Sequence, residues 1–203
     1  MPPDPGSMPE ESRLRMDEWP ILHTRRLLLR RFRPEDAATV QALAGDRDIA
    51  STTATIPHPY EDGVAEAWIA THDQAFRDGK SVILAITLPP TGELIGATGL
   101  EICTEHRRAE LGYWVGKPYW NNGYCTEAAG AMLEYGFEVL GLDRIFAHHF
   151  TRNPASGRVM QKLNMKHEGH MREHLLKWGV REDLEIYGIL RTDPRPKPNL
   201  IHP

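Results

Sequence analysis

The run Trp120-Asn121-Asn122-Gly123-Tyr124-Cys125-Thr126 sets small and polar residues directly before a segment of helical character, and its chemistry is that of an anion site. The first turn of a helix leaves about four backbone N–H groups without intrahelical acceptors, and the aligned peptide dipoles put roughly half a positive charge there. Phosphates bind at such ends. For several N–H groups to meet one anion, the preceding chain must curl. Gly123 permits this through its freedom in φ and its missing Cβ, while Asn121 and Asn122 tolerate left-handed backbone. Thr126 adds a hydroxyl where the helix starts. A plain strand-to-helix turn uses the same letters, with glycine for geometry and asparagine as a cap, so the run alone leaves both readings open.

The elements around this run give it a place. TRRLLLRRF alternates charge with leucine as a strand does, over Arg25 to Phe32, and Pro34-Glu35-Asp36 opens a short helix through AATVQALA. EAWIATHDQAFRDG has helical spacing and stops at Gly79; SVILAITL, PPTG and ELIGATGLEICTE form a hairpin; RAELGYWVG is a further strand ending just before the loop. The helix expected over Thr126 to Leu140 is followed by the strand DRIFAHHF. NPASGRVMQKLNM then starts a short helix, with Asn153 as N-cap and Pro154 in its first turn, and two strands surround a turn at Gly179. The order β-α-α-β-β-β-α-β-α-β-β describes an α/β (α+β) domain with helices on both faces of a mixed sheet.

Composition excludes several classes of function. Lys and Arg number 24 against 28 Asp and Glu, a formal charge of −4, which gives no field for nucleic acid. No apolar run approaches the ~20 residues of a membrane span, and residues 1–20 lack the apolar core of a secretory signal. A cytoplasmic protein is expected, with no membrane partner. The two cysteines, Cys103 and Cys125, do not make a disulfide framework. The histidine pairs His148-His149 and His167/His170 lie in strand-like segments whose neighbours point opposite ways, so no metal site is expected.

ELGYWVGKPYWNNGYCTEAAGAMLEYGFEVLGLDRI resembles the acetyl-coenzyme A motif of the GNAT superfamily of N-acetyltransferases, and NPASGRVMQKLNM resembles the Asn-x-x-Ser helix of its ribosomal-protein-alanine N-acetyltransferase-like branch. The likeness extends over most of Arg25 to Arg191. It implies a single GNAT-like domain over residues 21–192 with a mostly antiparallel seven-stranded sheet and one splayed parallel pair; the Pro-, Glu- and Ser-rich residues 1–20 read as a disordered leader and the Pro-rich residues 193–203 as a flexible tail. It also implies acetyl-CoA as donor and a primary amine as acceptor: a peptide or protein N-terminus, or an antibiotic, polyamine or amino acid. A non-catalytic acyl-CoA sensor is the alternative, and a homodimer is a further expectation.

By the same resemblance Asn121, Asn122, Gly123, Tyr124, Cys125 and Thr126 hold the diphosphate, although Trp120 and Cys125 depart from the family's first and last loop residues. Tyr113, Trp114 and Val115 offer backbone to the pantetheine, and an amide near Val115 polarises the acetyl carbonyl. The family's tyrosine in the final helix is replaced by Met160, which moves the role of partner to the leaving thiolate to Ser156, supported by Asn153. Arg158 is expected at the phosphates. Glu110 is the first candidate base and Glu101 the second. Cys125 is expected to be a loop residue rather than a nucleophile. Trp68, His58, Tyr60 and Trp178 are candidates for the acceptor pocket.

Overall fold

The apolar runs SVILAITL and ELIGATGLEIC, buried on both faces, pair as β3 (Ser81–Leu88) and β4 (Glu93–Cys103), joined by the expected Pro-Gly turn. They lie near the middle of an eight-stranded sheet ordered β1-β2-β3-β4-β5-β6-β8-β7. The remaining strands are β1 (Leu22–His23), β2 (Leu28–Arg31), β5 (Arg108–Val115), β6 (Arg144–Phe150), β7 (Lys166–Lys177) and β8 (Val180–Leu190). The computed structural model describes residue 16 and residues 18–197. Most of the expected leader (1–15 and 17) and the tail from 198 onward lie outside the described residues.

One strand more is present than the seven expected. β1 pairs only Leu22 with Leu29 and His23 with Leu28, too short a run to carry periodicity. All neighbouring strands are antiparallel except β5 and β6. The helices are α1 (Ala37–Ala44), α2 (Arg47–Ala50), α3 (Val64–Arg77), α4 (Tyr124–Glu134) and α5 (Pro154–Lys162). The helix expected over Thr126 to Leu140 starts earlier, at Tyr124, and its last turn widens to a π-turn over Tyr135–Val139, closed by Leu140 N–H on Tyr135 O at 3.1 Å.

Alternation along the strands creates two apolar layers. Val82, Leu84, Ile86, Leu100, Leu111 and Ile145 meet Ala128 and Met132 of α4 and Met160 of α5 on one face. Ala85, Leu94 and Ala97 meet Val40 and Ala44 of α1 and Ala65 of α3 on the other. Leu84, Ile86, Leu100, Met132 and Ile145 are wholly buried, each contributing about 1.5–3 kcal/mol. Exposed ion pairs such as Lys80–Asp78 are screened by solvent and add little, so apolar burial holds the layers together. Trp19 stacks on Phe76 with ring centroids 4.2 Å apart, and Arg195 reaches Glu134 at 3.1 Å and Glu138 at 2.6 Å. Both residues pack on the domain from just outside the boundaries expected at 21 and 192.

Candidate active site

β5 pairs with β6 only through Arg108–Arg144, Ala109–Ile145 and Glu110–Phe146. Beyond Glu110 the two strands part, while β5 stays paired with β4 as far as Gly96–Val115. Gly116 N–H donates to Ile95 O at 2.8 Å. Antiparallel alternation therefore turns the peptide groups of Trp114 toward β4 and those of Tyr113 and Val115 toward the gap. The strands approach so closely here that a Cβ on Gly96 would stand 2.2 Å from Trp114 O. Of the three backbone partners expected, Trp114 is thus turned away, and its side chain packs in the α1/α3 layer. Trp120 closes one further group: its Nε1–H donates to Val115 O at 2.7 Å, leaving the Val115 N–H on that edge.

At the end of β5 the chain enters the loop. Asn121 (φ 63) and Gly123 (φ 78) adopt left-handed backbone, which curls the peptide N–H groups to one side. The first helical bond is Glu127 N–H to Gly123 O at 3.1 Å; among the described residues, the backbone N–H groups from Asn121 to Thr126 meet no protein carbonyl. The Asn122 side chain braces the curl by donating to Tyr119 O at 3.1 Å and Trp120 O at 3.0 Å.

The β1–β2 turn holds the loop from behind, through residues that the sequence reading missed. Arg26 donates to Asn122 O at 2.9 Å, pairs with Glu127 at 2.6 Å and lies over the Tyr124 ring at 4.8 Å. Thr24 Oγ1 donates to Glu127 Oε1 at 2.7 Å. Burial works against a charged Glu127, but the hydrogen bonds from Thr24 and Arg26 prevail and hold its pKa below the usual carboxylate range. The only trace of this in the sequence is an Arg pair in one segment and an acid in the first helical turn of another.

The unpaired end of β5 presents different chemistry to each face. Toward α5, Tyr113 Oη meets Ser156 O and Ser156 Oγ, each at 3.0 Å. Burial pushes the Tyr113 phenol well above its ordinary pKa, against a smaller lowering by Ser156, so it remains a neutral donor. Asn153 Oδ1 accepts from Ser156 N–H at 3.4 Å as the N-cap of α5. Met160, at the position of the missing tyrosine, is buried in the core. Gly157 lies against the His149 ring, where a Cβ would stand 2.6 Å from His149 Nε2. Burial pushes the Cys125 thiol up to about 12, overriding the lowering expected beside a helix N-terminus, and the thiol stays protonated. Arg158 is exposed on α5.

Toward the opposite face, Glu110 Oε1 lies 2.9 Å from His148 Nδ1, across the point where the parallel strands separate. Glu101 stands opposite Glu110 in the β4–β5 register. Together with Arg108 and Phe146 these carboxylates line a shallow cleft. Trp68 packs against Phe32 in the α1/α3 layer, whereas Trp178 is 46% exposed with the His58 ring 5.8 Å away. Among the described residues no group of three or more His, Cys, Asp or Glu is arranged to hold a metal, and no helix is long and apolar enough to cross a membrane.

An open strand edge beside a nest of unused N–H groups is the frame of an acyl-CoA-dependent transferase. The acetyltransferase (GNAT) domain matches residues 26–166, and the chain belongs to this family of N-acetyltransferases, whose acetyl donor is acetyl-CoA. It is 32% identical over 174 residues, 85% of this chain and 98% of the relative, to the uncharacterized N-acetyltransferase YoaA of Bacillus subtilis. It is 26% identical over 168 residues, 82% of this chain and 94% of the relative, to the spermidine N(1)-acetyltransferase of Vibrio cholerae. A GNAT-family acetyltransferase structure from Bacillus anthracis superposes with a TM-score of 0.76 at 27% identity, covering 86% of this chain and all of that one.

Proposed function

We propose that the chain transfers an acetyl group directly from acetyl-CoA to a primary amine, with the α-amine of a peptide or protein N-terminus as acceptor. The observation that carries the reading is the opening of β5 from β6 beyond Glu110 beside the unused N–H groups of Asn121 to Thr126. These groups suit a diphosphate. Pantetheine amides match the gap-facing peptide groups of Tyr113, and Arg158 serves the phosphates. Bound acetyl-CoA supplies a thioester carbon open to attack by an amine. On the protein's side, Val115 N–H is a fixed donor toward developing oxyanion charge and Ser156 Oγ–H, held by Tyr113, is the proton source on the α5 face.

The α-amine is supported by the likeness of the opening strand and the Asn153–Ser156 helix to the ribosomal-protein branch. A polyamine is the second reading, supported by the neighbouring carboxylates Glu101 and Glu110 and by the spermidine-acetylating relative.

The test is incubation with acetyl-CoA and a panel of Ala- and Ser-initiated peptides, spermidine and amino acids, following free thiol and product mass, alongside calorimetric titration of acetyl-CoA. Acetylated peptide supports the first reading and acetylated spermidine the second. No transfer to any amine together with no acetyl-CoA binding overturns both.

A further inference from the structure

Trp120 directs its one polar group at the edge of β5 that faces the gap. The indole Nε1–H donates to Val115 O at 2.7 Å, the short end of the N–H···O range, although the residue is 42% exposed and has water as an alternative partner. A short turn over Lys117–Tyr119 folds the ring back onto the strand. Tyr119 N–H donates to Gly116 O at 2.9 Å and Trp120 N–H to Lys117 O at 3.2 Å. Tyr119 Oη anchors the same turn to the start of β4 by donating to Glu93 Oε1 at 2.6 Å.

The consequence falls on Val115, which is buried. In an extended strand the N–H and C=O of one residue point the same way, so Val115 O stands beside Val115 N–H on the gap edge. The peptide group joining Val115 to Gly116 is bound at both ends: Gly116 N–H on Ile95 O at 2.8 Å toward β4, and Val115 O under the indole toward the gap. Rotating it breaks one bond or the other. A bare carbonyl oxygen next to an N–H donor repels the negative charge that the donor would hold. Covered by an indole N–H it repels that charge less, and the difference grows where water is scarce.

Resting on the acetyl-transfer reading above, we infer that Trp120 is a positioning residue for the oxyanion donor. By occupying Val115 O it fixes the end of β5 and removes competing negative potential from beside Val115 N–H. It also keeps pantetheine amides off Val115 O, so cofactor pairing along β5 is confined to the peptide groups of Tyr113.

Two substitutions separate the donor from the ring. Trp120→Phe keeps an aromatic face and loses the N–H, whereas Trp120→Gln loses the face and keeps an N–H donor. With an Ala-initiated peptide and spermidine as probes, Trp120→Phe should lower kcat about tenfold, less than the roughly 10²–10³-fold lost with a whole oxyanion donor, and leave the Kd for acetyl-CoA unchanged. Trp120→Gln should retain more of kcat than Trp120→Phe. A second readout is carbon-13 NMR of the bound ketone analogue of acetyl-CoA in which CH2 replaces sulfur, labelled at the carbonyl carbon. Its resonance should move downfield on binding to the wild type and lose most of that displacement in Trp120→Phe. A kcat for Trp120→Phe equal to or above that of Trp120→Gln, or a downfield displacement that survives loss of the indole, overturns the inference alone. No displacement in a wild type that binds the analogue overturns it together with the donor role of Val115. A wild type that binds acetyl-CoA yet acetylates neither probe overturns it together with the acetyl-transfer reading.

Discussion

Tyr113 Oη and Ser156 Oγ lie 3.0 Å apart, joining the free end of β5 to the first turn of α5. The phenol also donates to Ser156 O at 3.0 Å, so the tyrosine fixes both the helix turn and the hydroxyl it carries. Ser156→Ala should lower kcat about 10²-fold with little change in the KM for acetyl-CoA, because proton delivery acts in the transition state. Tyr113→Phe should lower kcat less, about tenfold, and cost about 1 kcal/mol in stability through the lost hydrogen bonds. Steady-state kinetics with denaturant titration separates the two effects. Equal, purely stability-linked losses in both variants would remove Ser156 from the chemistry.

Gly123 holds φ at 78° at the N-terminus of α4. A Cβ there would make only ordinary contact, 3.5 Å from Arg26 Nη2, so the penalty for alanine is one of backbone conformation rather than space. Gly123→Ala should cost about 1 kcal/mol, a fall in Tm of roughly 2–4 °C for a chain of this size. Relaxation toward negative φ would turn the N–H groups apart, and acetyl-CoA affinity should fall at least about tenfold, equivalent to ~1.4 kcal/mol. Calorimetry at a temperature where the variant is fully folded checks this. An unchanged Kd would mean that the curl does not bind the diphosphate.

These two cases mark what the sequence could and could not disclose. Gly123, the Asn153 cap and the strand alternation are local features, readable from neighbours in the chain. Tyr113 and Ser156 are 43 residues apart, and Glu110 meets His148 only because parallel pairing stops at Glu110–Phe146. No residue type announces where two strands will part. Trp114 is different: in a strand only alternate peptide groups face one side, so naming three consecutive residues as backbone partners already conflicted with the geometry of β5. Trp120 departs from the family's loop pattern, and its use as a donor to Val115 O emerges only when the loop folds back on the strand.

Contact between Gly157 and His149 makes the position of α5 testable. A methyl group on Gly157 would sit 2.6 Å from His149 Nε2, and the buried ring cannot move freely because its Nδ1 is bound to Phe150 O at 2.8 Å. Gly157→Ala should therefore cost about 1–3 kcal/mol as overpacking and lower kcat by drawing Ser156 away from Tyr113. Adding His149→Ala removes the obstruction. In a double-mutant cycle the pair should lose at least about 1 kcal/mol less than the sum of the single variants, and kcat should partly recover. Additive losses would show that α5 is not seated on this ring.

His72 makes stability depend on pH away from the active site. It is 3% exposed on α3, packed between Trp68 and Phe32, and neither ring nitrogen has a hydrogen-bond partner. Burial lowers its pKa to about 4, against a smaller opposing pull from Asp73. Because the folded-state value lies below the ordinary 6.5, the unfolded chain binds a proton in this window before the folded chain does. Stability contributed by neutral His72 is complete above pH ~6.5 and is lost as pH falls toward 4, by an amount on the order of 3 kcal/mol. Asp36, lowered despite burial by Arg30 and Arg33, and Glu127, lowered despite burial by Thr24 and Arg26, act at lower pH. Urea titrations at pH 7, 6 and 5 should therefore reveal a loss that precedes the carboxylate transition. His72→Leu, of similar size and without an orphaned polar atom, should raise stability at pH 7 by about 1 kcal/mol and flatten the profile between pH 6.5 and 4. A variant that keeps the wild-type slope in that interval would show that the ring is hydrated or charged in the folded protein.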